Sequence, residues 1–447
     1  MTTSMTLMAP TGGDGAAAGA TRALNQDEVT NVTPDLLDAV LARDNLWRAW
    51  KRVKANRGAP GIDGVRLEDF PAYARNHWPD VREQIEQGRY APQPVRRVAI
   101  PKPDGGERLL GIPTILDRVI QQAIAQVLTP IFEPTFSASS FGFRPGRNTH
   151  QAVRQVQTYV KAGYRIAVDL DLAKFFDNLD WTLLMRALRK HTDCKWVLLY
   201  IERWLQAPVR MPDGTLASRE KGTPQGGVVS PILSNLFLHY TFDNWMKKHH
   251  PEIQFERYAD DVICHCHSEA QAIALRQALE QRFAACKLEL HPQKTKIAYC
   301  KDANRCGSYS EERFDFLGYT FRPRRSMNRK GRLFVSFSPA VSDKAAKAMR
   351  ETMRRWRLHH RGDLGLDDLV RWTRSVIHGW VLYYGRFYPS ALQRALHTLD
   401  AYLIRWAQRK YKRLKGHKSR AWDWLARLQS RHPSLFPHWN LPAVVGR

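Results

Sequence analysis

A chain of 447 residues is long enough to build two or three domains, each around a sizeable core. Its 69 Lys and Arg outnumber 43 Asp and Glu, and the formal net charge of +26 suits a polyanionic partner, most simply nucleic acid. Six Cys with no CxxC pair argue against a disulfide scaffold and fit a reducing cytosol, and no apolar run approaches the roughly 18 residues of a membrane span.

Residues 1–30 are rich in Ala, Gly and Thr and lack the basic start and apolar centre of a secretory signal, so a disordered leader is expected. Residues 35–54 carry Leu36, Leu37, Val40, Leu41, Leu46 and Trp50 at helical spacing. Gly58, Gly61 and Gly64 then mark an irregular loop; it is neither a Walker loop nor GxGxxG, and a structural role is the simpler reading. Residues 96–116 read as a hairpin turning at Asp104-Gly105-Gly106. Lys102 and Arg108 stand on its two arms, placed for a triphosphate, although two solvated cations would look the same. Asp117 is expected to cap a helix that stops near Pro130, and a further helix is expected from His150 to Val160.

Residues 166–171, IAVDLD, alternate apolar and acidic, so Asp169 and Asp171 fall on one face of a strand. Residues 181–206 look helical. The turn Gly222-Thr223-Pro224-Gln225-Gly226-Gly227 then opens another helix, a place where backbone can approach a ligand closely. Next comes Arg257-Tyr258-Ala259-Asp260-Asp261, two adjacent carboxylates at or near the tip of a hairpin. Asp-Asp alone most often marks a solvated turn. Buried together, two acids need a cation between them, and divalent metals clamp the reacting oxygens of a phosphoryl transfer. Cys264-His265-Cys266-His267 alternates, which sends the thiols to one face and the imidazoles to the other. Structural zinc uses wider spacing, so no zinc site is expected there.

Phe314 to Phe321 forms a strand expected to end at Arg322. From 322 to 361 there are 13 Lys or Arg and 2 acids. Over 343–361, Ala346, Met349, Met353 and Trp356 make an apolar helical stripe, with Lys347, Arg350, Arg354 and Arg357 one step round the helix. One face can pack while its neighbour meets a phosphate backbone. Residues 367–388, with Trp380, Tyr383 and Tyr384, read as a core helix, and 401–447 hold 11 basic residues, one acid and several Trp.

Taken in order, these segments resemble the group II intron reverse transcriptase/maturase family. NRGAPGIDG resembles its N-terminal extension motif, and IPKPDGGERLLGIPTILDRVIQQAI and SFGFRPGRNTHQAV its finger motifs. VDLDLAKFFDNLD, GTPQGGVVSPILSNL and YADD resemble the palm motifs; LELHPQKTKI and FDFLGYTF resemble the last polymerase blocks, and IHGWVLYYGRF the maturase or thumb domain. The resemblance implies an α+β right-hand polymerase with fingers, a palm with an antiparallel sheet, a helical thumb and a basic C-terminal extension. The implied divisions are a leader over 1–30, N-terminal extension and fingers over 31–160, palm over 161–325, thumb or maturase domain over 326–400, and a Trp-rich nucleic-acid-binding segment over 401–447.

By the same resemblance, Asp171, Asp260, Asp261 and the Leu172 carbonyl would hold two Mg²⁺ ions, for which Mn²⁺ can substitute. Lys102 and Arg108 would take the triphosphate, Gln225 and Gly226 would lie beneath the incoming nucleotide, and Phe176 would exclude a ribose 2′ hydroxyl. Lys294 would give a proton to pyrophosphate, while Asp169 and Asp177 would support the site. The implied partners are intron RNA, an RNA template with a DNA primer, dNTPs and target DNA in a bacterial cytosol or nucleoid, with no membrane. No H-N-H or paired-Cys endonuclease pattern occurs in the chain. Two other readings remain: a splicing cofactor that mainly holds RNA, and a relative recruited to phage defence or DNA repair.

Overall fold

The structure, a computed structural model, describes residues 36–101, 106–305, 307–328 and 330–441. The expected leader and Lys102 lie outside the described residues. Four antiparallel strands, in the order Gln254–Tyr258, Asp261–Cys266, Ile166–Leu170 and Lys296–Tyr299, form the palm sheet. Alternation sends Ile166, Val168, Leu170, Val262, Cys264 and Cys266 into one core and Ala167, Ile263 and Ala298 into another. Both faces are therefore covered, and the sheet is a rigid support for what its strand ends carry. His265 is fully buried and its Nε2 stands 2.7 Å from Glu256 Oε1.

The fingers depart from the sequence pattern in instructive ways. The helix expected over 35–54 is two helices, Leu36–Leu41 and Arg43–Ala55. The buried Asn45 explains the break: its Nδ2 donates to the Val40 carbonyl and to the Ala123 carbonyl of the helix alongside. That neighbour, Ile115–Phe132, is capped by Thr114 rather than Asp117, and Pro130 lies inside its last turn. Asp117 is instead buried and accepts from Tyr90 Oη at 2.9 Å and Trp204 Nε1 at 3.1 Å. The glycine loop after Ala55 packs on the same helix, where Arg118 Nη2 donates to the Ala59 carbonyl. The stretch 181–206 is likewise two helices, Trp181–Leu188 and Lys195–Gln206.

Beyond the palm, the strand expected to end at Arg322 runs from Tyr319 to Met327 and pairs with Leu333–Val341. Pro323 is tolerated because the third strand, Phe314–Phe316, pairs only as far as Phe321, which leaves one edge free. Helices Asp343–Trp356, Leu366–Tyr384, Pro389–Lys410 and Lys418–Arg431 share one core from Val341 to Leu441, with Trp406 at its centre. The border expected at 400/401 falls inside one helix, so residues 401–441 are packed into the thumb rather than appended to it. Tyr383 ties the thumb to both palm and fingers: its Oη donates to the Leu317 carbonyl, and its own carbonyl lies 2.9 Å from His150 Nε2. Among the described residues no helix is long and apolar enough to cross a membrane.

Candidate active site

The Asp-Asp pair sits on a two-residue hairpin of the palm. Tyr258 pairs with Asp261, so Ala259 and Asp260 alone make the turn. Ala259 takes a positive φ of 58°, a conformation that a Cβ disfavours, so something must hold it. Arg257 does so. Its fully buried guanidinium forks onto Asp243 (2.8 and 2.6 Å), and Nη1 donates to the Ala259 carbonyl and to Asn235 Oδ1, both at 3.0 Å. Asn235 Nδ2 reaches on to the Gly142 carbonyl at 2.7 Å. Gly142 lies against the turn so closely that a Cβ there would stand 2.3 Å from the Ala259 nitrogen. Phe143 follows with φ 56° and a ring 57% exposed, 6.5 Å from that of Tyr258.

Asp171 leaves the end of its strand beside this turn. Its carbonyl accepts from the His291 N–H at 2.7 Å, and its N–H donates to Thr295 Oγ1 at 3.4 Å. The bridge from Leu172 to Leu290 is made by the Asp171 carbonyl and the Ala173 N–H, so the Leu172 carbonyl takes no part in it. Lys294, on the same loop, places Nζ 3.7 Å from Asp171 Oδ2.

The acids resist ionisation together. Asp261 is pushed up to about 6, first by poor hydration and then by Asp260 and Asp171. It keeps an exposed surface, so it is not sealed in a core. Asp260 is raised mainly by burial and then by Asp171, with Arg108 and Arg257 opposing. Asp169 is pushed up to about 8 by burial, then by Asp261, Asp171 and Asp315, against the pull of Lys296. Three clustered carboxylates offer hard oxygen donors and surplus negative charge, which fits Mg²⁺ or Mn²⁺. As the side chains stand, no three acidic, imidazole or thiol groups among the described residues converge to hold one ion.

The expected nucleotide-side residues meet around the glycine turn. The Thr223 N–H donates to the Phe176 carbonyl at 2.7 Å, and a Cβ on Gly222 would stand 2.6 Å from the Asp177 carbonyl oxygen. The Gln225 carbonyl accepts from the Gly111 N–H of the finger hairpin at 2.9 Å, and the exposed Gly226 follows it. Phe176 is half-buried, edge-on to Phe175 at 5.2 Å. Arg108 is exposed and close enough to lower Asp260. Lys347, Arg350 and Arg354 are exposed on the thumb helix, around a core separate from that of the acids. Arg357 lies past that helix, which ends at Trp356, and takes a left-handed conformation of φ 49°. Sequence reasoning missed Arg257, Asn235 and Asp243. A cation beside the acids in an apolar strand and an Asn within ILSNLFL were the available signals, while Asp243 had none.

Residues 100–321 match the family described as reverse transcriptase (RNA-dependent DNA polymerase), and residues 346–422 match the group II intron maturase-specific domain. The chain is 31% identical over 333 residues to Protein YkfC of Escherichia coli, covering 65% of this chain and 84% of that protein. It is 33% identical over 217 residues to Group II intron-encoded protein LtrA of Lactococcus lactis, covering 48% of this chain and 36% of LtrA. Nuclear intron maturase 1 of Arabidopsis thaliana is 36% identical over 94 residues, 21% of this chain and 13% of that one. The chain thus spans most of the first relative, little more than a third of the second and about an eighth of the last.

Two outcomes follow from this geometry. Arg257→Ala strands Asp243 in the core and should lower unfolding free energy by about 3–5 kcal/mol, read as an earlier denaturant midpoint. Arg257→Lys should recover little of it, since an ammonium cannot make the fork. The second concerns pH. A carboxylate whose folded pKa lies above its unfolded value of about 4 takes up protons preferentially when folded, so stability falls as pH rises through that interval. Metal-free protein should lose stability first through Asp261, up to about 6, and then through Asp169, up to about 8. Asp169→Asn should flatten the upper part of the thermal-midpoint profile measured in chelator; a profile unchanged by it would contradict the assignment.

Proposed function

Because the chain belongs to the group II intron family of reverse transcriptases that carry a maturase domain, we propose that it copies intron RNA into DNA and assists that RNA in splicing. The observation that carries the polymerase reading is the electrostatic conflict of Asp171, Asp260 and Asp261 at the tip of a braced hairpin. A fold that holds three repelling carboxylates in place gains nothing from them unless a cation joins them. Asp171, Asp260, Asp261 and the Leu172 carbonyl would hold two Mg²⁺ ions, which when bound polarise the primer 3′ hydroxyl and neutralise charge on the triphosphate.

The chain's own residues do the rest. Lys102 and Arg108 bind the triphosphate, Arg108 from its strand of the finger hairpin. Gln225 and Gly226 form the floor beneath the nucleotide, held to the fingers through Gly111. The Phe176 ring excludes a 2′ hydroxyl, and its position is set by the bond from Thr223 to its carbonyl. Lys294, beside Asp171, donates a proton as pyrophosphate leaves. Lys347, Arg350, Arg354 and Arg357 on the thumb carry the nucleic-acid backbone, and the maturase-specific domain carries intron recognition by shape.

The direct test is dNTP incorporation on an RNA template annealed to a DNA primer with Mg²⁺. Asp260→Ala with Asp261→Ala should lower the rate by roughly 10³-fold or more. Failure of the wild type to extend, while folded and bound to duplex, would replace the polymerase reading with a splicing cofactor that mainly holds RNA. Splicing that survives the double substitution would separate the two activities. Phe176→Val should reduce discrimination between dNTPs and rNTPs by ~10-fold or more, measured as the ratio of kcat/KM values.

A further inference from the structure

One element finds no use in that scheme. Tyr319–Met327 and Leu333–Val341 pair without interruption from Tyr319 opposite Val341 to Met327 opposite Leu333. The base of this ribbon is core, with Phe321 and Phe337 buried. Past Phe321, among the described residues, no third strand pairs with it. Pleating puts Arg325, Val335, Met327 and Leu333 on one face, and Ser326 and Phe334 on the other. Leu333 is 68% exposed and Met327 53%, with Phe334 and Val335 exposed beside them.

The ribbon is also purely basic. No Asp or Glu occurs from Phe316 to Ser342. Arg322, Arg325, Lys330 and Arg332 are exposed, and none forms an ion pair among the described residues. The lower ribbon is braced: Tyr388 Oη donates to the Arg325 carbonyl at 2.7 Å, the Ala303 N–H to the Val335 carbonyl at 3.0 Å, and the buried Arg324 to the Thr320 and Ser338 carbonyls.

Charges and a proline on a free edge are what guards a sheet against pairing with other chains. That accounts for Pro323 and the arginines. It does not account for four exposed apolar side chains at the ribbon's outer end, which hydration disfavours. Cations flanking an apolar ridge on a two-stranded ribbon match a nucleic-acid groove, with phosphates on the rims and sugar and base edges on the floor. Among the described residues of the tip, the amide oxygen of Asn328 is not free for a base edge: Oδ1 accepts from the N–H groups of Lys330 and Arg332 within its own turn. Contact by shape and charge suits the wide, shallow minor groove of A-form RNA better than base readout in a DNA major groove.

We propose that the outer end of this ribbon, Met327, Leu333, Phe334 and Val335 with Arg325, Lys330 and Arg332, docks in the minor groove of a double-stranded segment of structured RNA, apart from the polymerase cleft. This rests on the reading of the chain as an RNA-copying enzyme, and the two can fail separately. The probe is a closed RNA hairpin with no extendable end, titrated by fluorescence anisotropy over a range of salt. Lys330→Ser with Arg332→Ser should weaken binding by about 10-fold and reduce the log–log salt slope by roughly 1.5–2. Met327→Thr with Leu333→Thr, which keeps β-forming side chains, should weaken it ~10-fold and leave the slope unchanged.

Both variants should extend a saturating short primer–template at the wild-type rate, which also reports that they are folded. Hairpin affinity equal to wild type in both variants would overturn the proposal. So would loss of extension in step with RNA affinity, which would put the ribbon in the cleft. Two further results would also overturn it: equal loss on a DNA hairpin, or concentration-dependent self-association that the threonine pair abolishes. Absence of extension in the wild type would instead strike the polymerase reading alone.

Discussion

A guanidinium buried without solvent is the constraint on which the Asp-Asp turn depends. Burying a charge costs several kcal/mol unless every donor is met, and Arg257 meets its cost with three different elements. Asp243 comes from a π-helical turn, Asn235 from the helix before it, and Ala259 from the hairpin itself. Because Asn235 also holds Gly142, the finger segment, the palm helix and the Asp-Asp turn are fixed by one network. That network supports the left-handed backbone of Ala259, a conformation the two-residue turn requires but an alanine Cβ disfavours.

A second junction lies at the glycine turn, where backbone hydrogen bonds join three parts of the site. Thr223 holds Phe176, Gln225 holds Gly111 of the finger hairpin, and Val228 N–H donates to Gln121 of the finger helix. The Phe176 segment, the glycine turn, the finger hairpin and the finger helix are therefore mechanically linked. The carboxylates between these junctions repel one another through a poorly hydrated cleft. Their conflict is tolerable because the sheet beneath is covered on both faces and cannot relax to part them.

The thumb is built differently, as helices around Trp406, Leu399, Leu403 and Phe436 with cations left on the outside. Its attachment through Tyr383 is polar and aromatic rather than a shared aliphatic core. The acidic cluster and the basic thumb face thus rest on separate cores, which lets one surface change without disturbing the other.

Periodicity alone determined the palm strand at Ile166, the acidic face shared by Asp169 and Asp171, and the Ala346–Met349–Met353 stripe, because those patterns record which side meets a core. The ordered motifs determined the family. Tertiary structure decided where those patterns are interrupted. Asn45 splits a periodic helix by taking the Val40 carbonyl, Thr114 displaces Asp117 as cap, and the strand runs through Arg322 and Pro323 because a partner strand continues beside it. Only the fold could bring Asp243 to Arg257 or Lys294 to Asp171. Local pattern encodes burial, but a buried ion pair joins distant residues whose chemistry is visible one at a time and whose meeting is not.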